Sequence, residues 1–218
     1  LKDERETEEG GPREKTFRYE GGLADFVKYL NHDKTPIHEE PIVIEGKKGD
    51  ICVCIAMQYN DSYTEGVFSY VNNIPTSEGG THETGFKTAL TKVMNEYALK
   101  AGLVKEKDIQ LTGEDFREGL CAVVSLKLKN VQFEGQTKTR LGNTEARAAV
   151  EAVVSEQLSL FMADLNNAGL CAQLIDKAQK AARVREAARK AKKLERQRSK
   201  LEGAPLVGKL ASCTGRDP

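Results

Sequence analysis

The segment PIVIEGKKGDICVCIAMQYN, residues 41–60, predicts a β-hairpin. Its two apolar runs are rich in β-branched residues, which pack well on a pleated surface, and a connection with a glycine at each end separates them. Similar short apolar runs follow at residues 66–73 and within residues 111–130. Together these strands predict a mainly antiparallel sheet with one face covered.

Helical patterns lie between and after these strands. Apolar residues recur at helical spacing over residues 23–30, over residues 86–97 after a possible cap at Thr81, and over residues 142–165, where Asn143 or Thr144 can cap the helix. Strands and helices in this mixed order predict one α+β domain over residues 16–167. Residues 1–15 are charged and contain Gly and Pro, which is typical of a linker.

Residues 168–200 predict one long basic helix, because Ala, Lys, Arg, Gln and Glu are strong helix formers. The apolar stripe of this helix ends near Val184, so the later part is expected to project from the core or to bridge two domains. The stripe consists of Leu174, Ile175, Ala178, Ala182 and Val184. Residues 201–218 have the Gly and Pro content of a further linker.

The net charge of zero hides an uneven distribution of charge along the chain. Residues 176–200 carry 11 Lys or Arg against three acids, a net charge of +8, and residues 1–175 carry −8. Such a split indicates an anionic partner near one end. The basic helix could follow a phosphate backbone. It could also be a solvated linker helix, since acids and alanines are mixed in and no aromatic residues are interleaved for stacking on bases.

Composition excludes several classes of protein. No apolar run approaches the ~20 residues that a membrane-spanning helix needs, and the first residues lack the apolar core of a signal peptide. The chain begins with Leu1, as expected of a piece of a longer protein.

The cysteines and histidines show no metal-binding pattern. The five cysteines form no C-x-x-C pair and the three histidines have no metal-ligand spacing, so no metal site is predicted. Cys52 and Cys54 are two residues apart in a strand and therefore share a face. We expect the cysteines to be buried apolar residues, which favours a reducing, cytoplasmic location.

The loop QFEGQTKTRLGN, residues 132–143, holds the best candidate for chemistry. Lys138 carries a compact charge on a flexible stem, which suits a phosphate oxygen, and the N-terminus of a helix follows closely. In an extended segment the Gln136 amide would lie on the same side as this ammonium. The residues alone favour a solvated turn, because the chain contains neither of the glycine-rich phosphate-binding motifs.

Two other polar segments have ordinary structural interpretations. His82, which follows two glycines and a threonine, is expected to be a helix-entry residue rather than a catalytic base. Glu114, Asp115 and Glu118 could be paired acids, but a turn that contains an ion pair is the simpler interpretation of GEDFREGL.

Four segments, taken together in order and spacing, resemble the transducer region of the bacterial DNA gyrase B subunit. They are NNIPTSEGGTHETGFKTALT at 72–91, LTGEDFREGLCAVVSLKL at 111–128, FEGQTKTRL at 133–141, and the segment at 181–218. The resemblance covers nearly the whole chain from about residue 16. The topoisomerase IV B subunit shares these motifs, although the ending LVGKLASCTGRDP is more similar to gyrase.

The resemblance implies a four-stranded, mainly antiparallel sheet backed by helices, in a ribosomal-protein-like fold with a left-handed crossover, followed by the long basic helix. It also implies an ATP-binding GHKL domain upstream of Leu1, with a glutamate general base and a Mg²⁺-binding asparagine, and a metal-binding Toprim domain after Pro218. Residues 16–167 would then be the transducer domain, and residues 201–218 would lead toward the Toprim domain.

By the same resemblance, Gln136 and Lys138 match the Q-T-K loop, which reaches into the ATP site and contacts the γ-phosphate, with Lys138 in a catalytic role. Lys87, which follows Gly-Phe, matches a basic residue of the cavity that holds transported DNA, although the family usually has Arg there. The implied cofactors are ATP and Mg²⁺ in the full-length protein. The implied partners are DNA, the gyrase A subunit, and a second gyrase B subunit, joined through the missing N-terminal domain.

The implied function is energy transduction in an ATP-dependent type II topoisomerase, with this chain inactive alone. Three alternatives stay open. They are a topoisomerase IV B subunit, a stand-alone nucleic-acid-binding module that uses the basic helix, and a ribosome-associated or housekeeping enzyme that shares only the fold.

Overall fold

The computed structural model describes residues 2–3, 13–14, 16, 20–105 and 110–202, with side chains described for residues 14, 16, 20–105 and 110–197. The strands are β1 (Lys2–Asp3), β2 (Arg13–Glu14), β3 (Ile42–Lys48), β4 (Ile51–Tyr59), β5 (Gly66–Val71), β6 (Ile74–Pro75), β7 (Leu120–Lys127), β8 (Phe133–Glu134) and β9 (Arg140–Leu141). The α-helices are α1 (Leu23–Leu30), α2 (Thr81–Lys100), α3 (Gly113–Arg117), α4 (Thr144–Ala163) and α5 (Ala168–Glu202). Most of the predicted linkers at residues 1–15 and 201–218 lies outside the described residues, apart from the short pair β1–β2 and the end of α5.

The hairpin predicted at residues 41–60 is confirmed. β3 pairs antiparallel with β4 along the whole length of β3, from the pair of Ile42 with Met57 to the turn. Gly49 in this turn has a φ of 59°, a left-handed conformation that glycine adopts without steric cost. Alternate residues of β4 point into the main core, as the period of two in a strand requires.

The main sheet has five strands in the order β3-β4-β7-β5-β6, so the predicted number of four is wrong. The additional strand, β6, has two residues, too few to give a pattern in the sequence. It forms because Asn72 and Asn73 have φ of 48° and 65°, and two consecutive left-handed residues turn the chain tightly back onto β5. Within this sheet β5 and β7 run parallel and the other pairs run antiparallel, so the sheet is mainly antiparallel as predicted.

Helices lie on both faces of the sheet. α2 and α4 pack against each other on one face and bury the main core, which includes Phe86, Leu90 and Val150. α1 lies on the other face, where Val27 is the centre of a smaller apolar cluster. α2 and α3 form the crossover between the parallel strands β5 and β7. The predicted left hand of this crossover stays a prediction.

The prediction that the cysteines are buried is wrong for two of them. Cys121 and Cys171 are buried, whereas Cys52 is exposed and Cys54 is half-buried. Cys52 and Cys54 share the α1 face, as their spacing predicts, but α1 has only eight residues and leaves the turn end of β4 uncovered. Cys213 lies outside the described residues.

α5 confirms the predicted long basic helix and shows where it leaves the core. Cys171, Ile175 and Ala182 in its first half are buried. Val184, predicted as the last residue of the apolar stripe, is 70% exposed, because this part of α5 packs against α3, which has only five residues. Residues 187–197 are exposed throughout. No helix in the described ranges has the length and apolar character needed to cross a membrane.

Candidate functional site

The segment at residues 132–143 forms a short hairpin whose tip faces solvent. β8 pairs antiparallel with β9, and residues 135–138 between them are exposed. Gly135 has a φ of 83° and Lys138 a φ of 56°, so both are left-handed. The predicted extended arrangement, with the Gln136 amide and the Lys138 ammonium on one side, is therefore wrong, because left-handed residues reverse the chain over this short distance.

The second strand of this hairpin is held against the start of α2. The Glu78 backbone N–H donates to the Thr139 carbonyl oxygen at 2.9 Å, and the Leu141 N–H donates to the Gly79 carbonyl oxygen at 3.1 Å. Gly80 has a φ of 143°, and a Cβ at this position would lie 2.6 Å from the backbone nitrogen and oxygen of Leu141. Glycine is therefore required for this close approach of the two backbones.

The Asn143 side chain joins the two ends of the loop. This residue is 1% exposed, and its Oδ1 accepts the Gln132 backbone N–H at 2.6 Å. Its Nδ2 donates to the Asn130 carbonyl oxygen at 2.9 Å and to Glu145 Oε1 at 2.6 Å. Its carbonyl oxygen accepts the Thr81 hydroxyl at 2.6 Å. Asn143 thus closes the loop on itself and adds a hydrogen bond to α2 beside the backbone bonds of Thr139 and Leu141.

The roles of Asn143 and Thr81 at the starts of α4 and α2 differ from the predicted capping roles. Asn143 occupies the N-cap position of α4 as predicted, but its side chain accepts no backbone N–H of that helix. Thr81 is the first residue of α2, and Gly80 occupies the cap position. The sequence predicts both residues as caps but does not predict that they support the loop. Their partners in these contacts lie 11 and 62 residues away along the chain.

Lys138 presents a positive charge at the tip of this loop. Among the described residues no carboxylate pairs with its ammonium, whereas Arg140, at the base of the hairpin, pairs with Glu134 at 2.9 Å. Gln136 is exposed on the same tip. An ammonium and an amide on an exposed turn can contact an anion held by another domain, such as a phosphate.

Lys87, by contrast, lies in an ion-pair cluster on α2. Its ammonium is 2.7 Å from a carboxylate oxygen of Glu65 and 2.9 Å from one of Glu83, and Arg117 also pairs with Glu65 at 2.9 Å. Burial acts to lower the pKa of Lys87, but hydrogen bonds to Glu65 and Glu83 outweigh it and raise the pKa above its ordinary value. A role for Lys87 in a DNA cavity stays a prediction.

His82 and Asp115 have structural surroundings. His82 is the second residue of α2 and fully buried, with Nε2 3.2 Å from Thr76 Oγ1. Asp115 is buried in α3, where both of its carboxylate oxygens accept hydrogen bonds from Arg185. These arrangements agree with the helix-entry and ion-pair interpretations. Within the described ranges, no group of three or more His, Cys, Asp or Glu side chains could hold a metal ion.

Comparison with known sequences identifies close relatives. The family model described as DNA gyrase B matches residues 22–194. The DNA gyrase B subunit of Bacillus mycoides is 51% identical over 218 residues, which cover 100% of this chain and 52% of that protein. The DNA gyrase B subunit of Halalkalibacterium halodurans is 52% identical over 201 residues, which cover 92% of this chain and 31% of that protein. The chain therefore spans about half, or less, of the length of these relatives.

Solved structures of gyrase B and topoisomerase IV domains are similar to this chain. The 43K ATPase domain of Thermus thermophilus gyrase B, in complex with an aminocoumarin, is 43% identical with a TM-score of 0.77, covering 85% of this chain and 49% of that one. The topoisomerase IV ATP-binding domain of Francisella tularensis, in complex with a small-molecule inhibitor, is 30% identical with a TM-score of 0.65, covering 81% and 46%. These findings confirm the resemblance to DNA gyrase B, and the chain belongs to the DNA gyrase B family.

Proposed function

We propose that this chain is the transducer region of a DNA gyrase B subunit. In this role it couples ATP binding and hydrolysis in an upstream GHKL domain to movement of the DNA gate and to supercoiling. The observation that carries the proposal is the loop tip at residues 136–138, an exposed turn that presents the Lys138 cation and whose base is fixed to the domain core. The family match over residues 22–194 supports it.

Lys138 would contact the γ-phosphate of ATP bound in the neighbouring domain, with the Gln136 amide as a second donor. A cation at this phosphate stabilises the negative charge that develops during phosphoryl transfer, and the effect is larger in a site that excludes water. ADP lacks the group that Lys138 would contact. Loss of the γ-phosphate would therefore weaken the hold of one domain on the other and change their relative position.

ATP and Mg²⁺ are the cofactors proposed for the full-length protein. The Lys138 ammonium and the Gln136 amide suit a phosphate oxygen. We assign the binding of Mg²⁺, which neutralises phosphate charge when bound, mainly to residues outside this chain. The contribution of this chain is the cation at the phosphate, and the chain alone is proposed to be inactive.

The partners proposed for the whole protein are DNA, the gyrase A subunit, and a second gyrase B subunit. Residues 16–167 would be the transducer domain, and the basic helix would lead to a Toprim domain. Lys87 would line the DNA cavity as part of its ion-pair cluster. A topoisomerase IV B subunit is the second candidate, supported by the Francisella tularensis structure at 30% identity, but the Thermus thermophilus gyrase structure is more similar at 43%.

The substitution Lys138→Ala in the full-length protein tests the proposal. With DNA and the partner gyrase chain present, we expect the rate of ATP hydrolysis to fall by about 100-fold or more, the loss typical of removing one transition-state donor. Nucleotide binding, measured by titration, should change little. Lys129→Ala is a matched control, because Lys129 is also an exposed lysine and forms a surface pair with Asp50 at 3.0 Å. Near-normal turnover of Lys138→Ala would remove the assigned role.

A further inference from the structure

We propose that Asn143 and Thr81 are positioning residues for Lys138, an inference that rests on the proposed role of Lys138 at the γ-phosphate. Neither residue lies at the exposed tip of the loop. Both make hydrogen bonds at the base of the loop, where the backbone leads to the tip. Together they fix where the Lys138 ammonium is presented to a phosphate on another domain.

The first argument is the Asn143 amide. It is buried, and both its oxygen and its nitrogen are used, since it accepts the Gln132 N–H and donates to the Asn130 carbonyl oxygen and to Glu145. These bonds join the segment before the loop, at Asn130 and Gln132, to Asn143 after the loop. A buried side chain with all its hydrogen bonds made specifies one arrangement of the backbone around it.

The second argument is the attachment to α2. The Thr81 hydroxyl donates to the Asn143 carbonyl oxygen at 2.6 Å, next to the backbone bonds that Glu78 and Leu141 make across the same boundary. α2 is a helix of 20 residues whose Phe86 and Leu90 are fully buried in the main core. The base of the loop therefore moves with the core and not as an independent flap.

The third argument is the conformation of Lys138 itself. Its φ of 56° is left-handed, which costs free energy for any residue other than glycine and persists where the surrounding structure imposes it. Its side chain is long and flexible, so its backbone position sets the region that the ammonium can reach. A displacement of about 1 Å at a reacting group can reduce a rate about 100-fold. Support at the base of the loop therefore controls catalysis at its tip.

Two conservative substitutions in the full-length protein test this inference. Asn143→Asp keeps the shape and the acceptor for Gln132 but removes the donor to Asn130 and Glu145 and places a carboxylate beside Glu145. Thr81→Val keeps the shape of the side chain without its hydroxyl. With DNA and the partner gyrase chain present, we expect kcat for ATP hydrolysis to fall about 10-fold or more, with KM for ATP changed less than about twofold. Thr81→Ser restores the hydroxyl and should restore kcat.

A double-mutant cycle with Lys138→Ala separates positioning from a general loss of structure. If Asn143 and Thr81 act through Lys138, neither substitution should lower kcat further once Lys138 is alanine. Losses that multiply in the double variants would overturn the inference, as would unchanged kcat in both Asn143→Asp and Thr81→Val. Failure of the proposed function looks different, because Lys138→Ala alone would then leave hydrolysis unchanged.

Discussion

The ring of His82 is completely buried, so a proton added to it would carry a charge into a site closed to water. Its Nδ1 has no hydrogen-bond partner among the described residues, and its Nε2 lies 3.2 Å from Thr76 Oγ1. Burial lowers the pKa of His82 to about 4, although the Glu83 carboxylate acts in the opposite direction. His82 is therefore neutral in the folded protein at neutral pH.

His82 should make the protein less stable as the pH falls from about 6.5 to about 4. In this range the unfolded chain binds a proton at His82 that the folded chain does not, so the free energy of unfolding decreases, by at most about 3 kcal/mol. His82→Gln removes this titration and keeps a donor toward Thr76. Urea denaturation at several pH values should show a smaller decrease in the variant, and an equal decrease in both proteins would contradict the assignment.

The two lysines that match family motifs show what the sequence can predict at single residues. The motifs identified both Lys138 and Lys87, but not the difference in their surroundings. Lys87 is paired because the chain after β4 brings Glu65 onto α2 beside Glu83. Lys138 is exposed because its left-handed backbone lies on a turn whose base is fixed by Asn143. Both outcomes depend on contacts between distant parts of the chain, which local patterns do not contain.

A buried ion pair contributes to the attachment of α5 to the domain, in addition to apolar contacts. Arg185 Nε and Nη2 each lie 3.0 Å from an oxygen of Asp115, and Nη2 also donates to the Gln110 carbonyl oxygen at 3.1 Å. Burial acts to raise the pKa of Asp115, but hydrogen bonds from Arg185 and Thr112 outweigh it and lower the pKa below its ordinary value. The ionised carboxylate therefore joins α3 to α5.

Arg185→Ala should lower the free energy of unfolding by about 2–3 kcal/mol at neutral pH, because it leaves a buried carboxylate without its charged partner. The pair stabilises the fold above the ordinary pKa of an aspartate, about 3.9, and this contribution is lost as the pH falls through the lowered pKa. The difference between wild type and variant should therefore shrink in acid, as measured by urea denaturation.

Arg189→Ala is the matched control for this prediction. Arg189 lies on the same helix, is 75% exposed and pairs with Glu186 at 3.4 Å. We expect a change of less than about 0.5 kcal/mol, as for surface pairs in general. Equal losses in Arg185→Ala and Arg189→Ala would show that Arg185 contributes only helix propensity.

At the level of elements, the sequence predicts what is long and periodic. The β3–β4 hairpin, α1 and α4 follow from the pattern of apolar residues, and α5 follows from its strong helix formers. β6 does not, because it has two residues and depends on a turn of two left-handed asparagines. The exposure of Cys52 also depends on the short length of α1, which covers only part of a face that the spacing alone assigns to the interior.

At the scale of the whole molecule, the positive charge is concentrated in the second half of α5, which is exposed to solvent. Residues 176–200 carry a net charge of +8, and residues 187–197 are exposed around the full circumference of α5. Such a segment attracts a phosphate backbone through charge, with no aromatic residues to stack on bases. This predicts non-specific binding of the kind expected of part of a larger DNA-binding protein.

The protein should bind duplex DNA weakly, with a dissociation constant of about 10⁻⁴–10⁻⁶ M at physiological salt and a log affinity that falls linearly with log salt. Replacing Lys192 and Lys193 by Gln should reduce the salt slope by about 2, measured by fluorescence anisotropy. The same change at Lys47 and Lys48, in the β3–β4 hairpin, is the control and should leave the slope unchanged. Tight binding that survives high salt would instead favour a stand-alone nucleic-acid-binding module.

The length of α5 has a mechanical consequence. The helix is fixed to the domain as far as Arg185 and continues to Glu202. At a rise of about 1.5 Å per residue, the part beyond Arg185 is a rod of about 25 Å, and a tilt of about 10° at Arg185 would displace its far end by about 4 Å. A small change of angle at the α3–α5 contact would therefore displace the end of α5 by a distance comparable to the spacing of neighbouring residues along the chain.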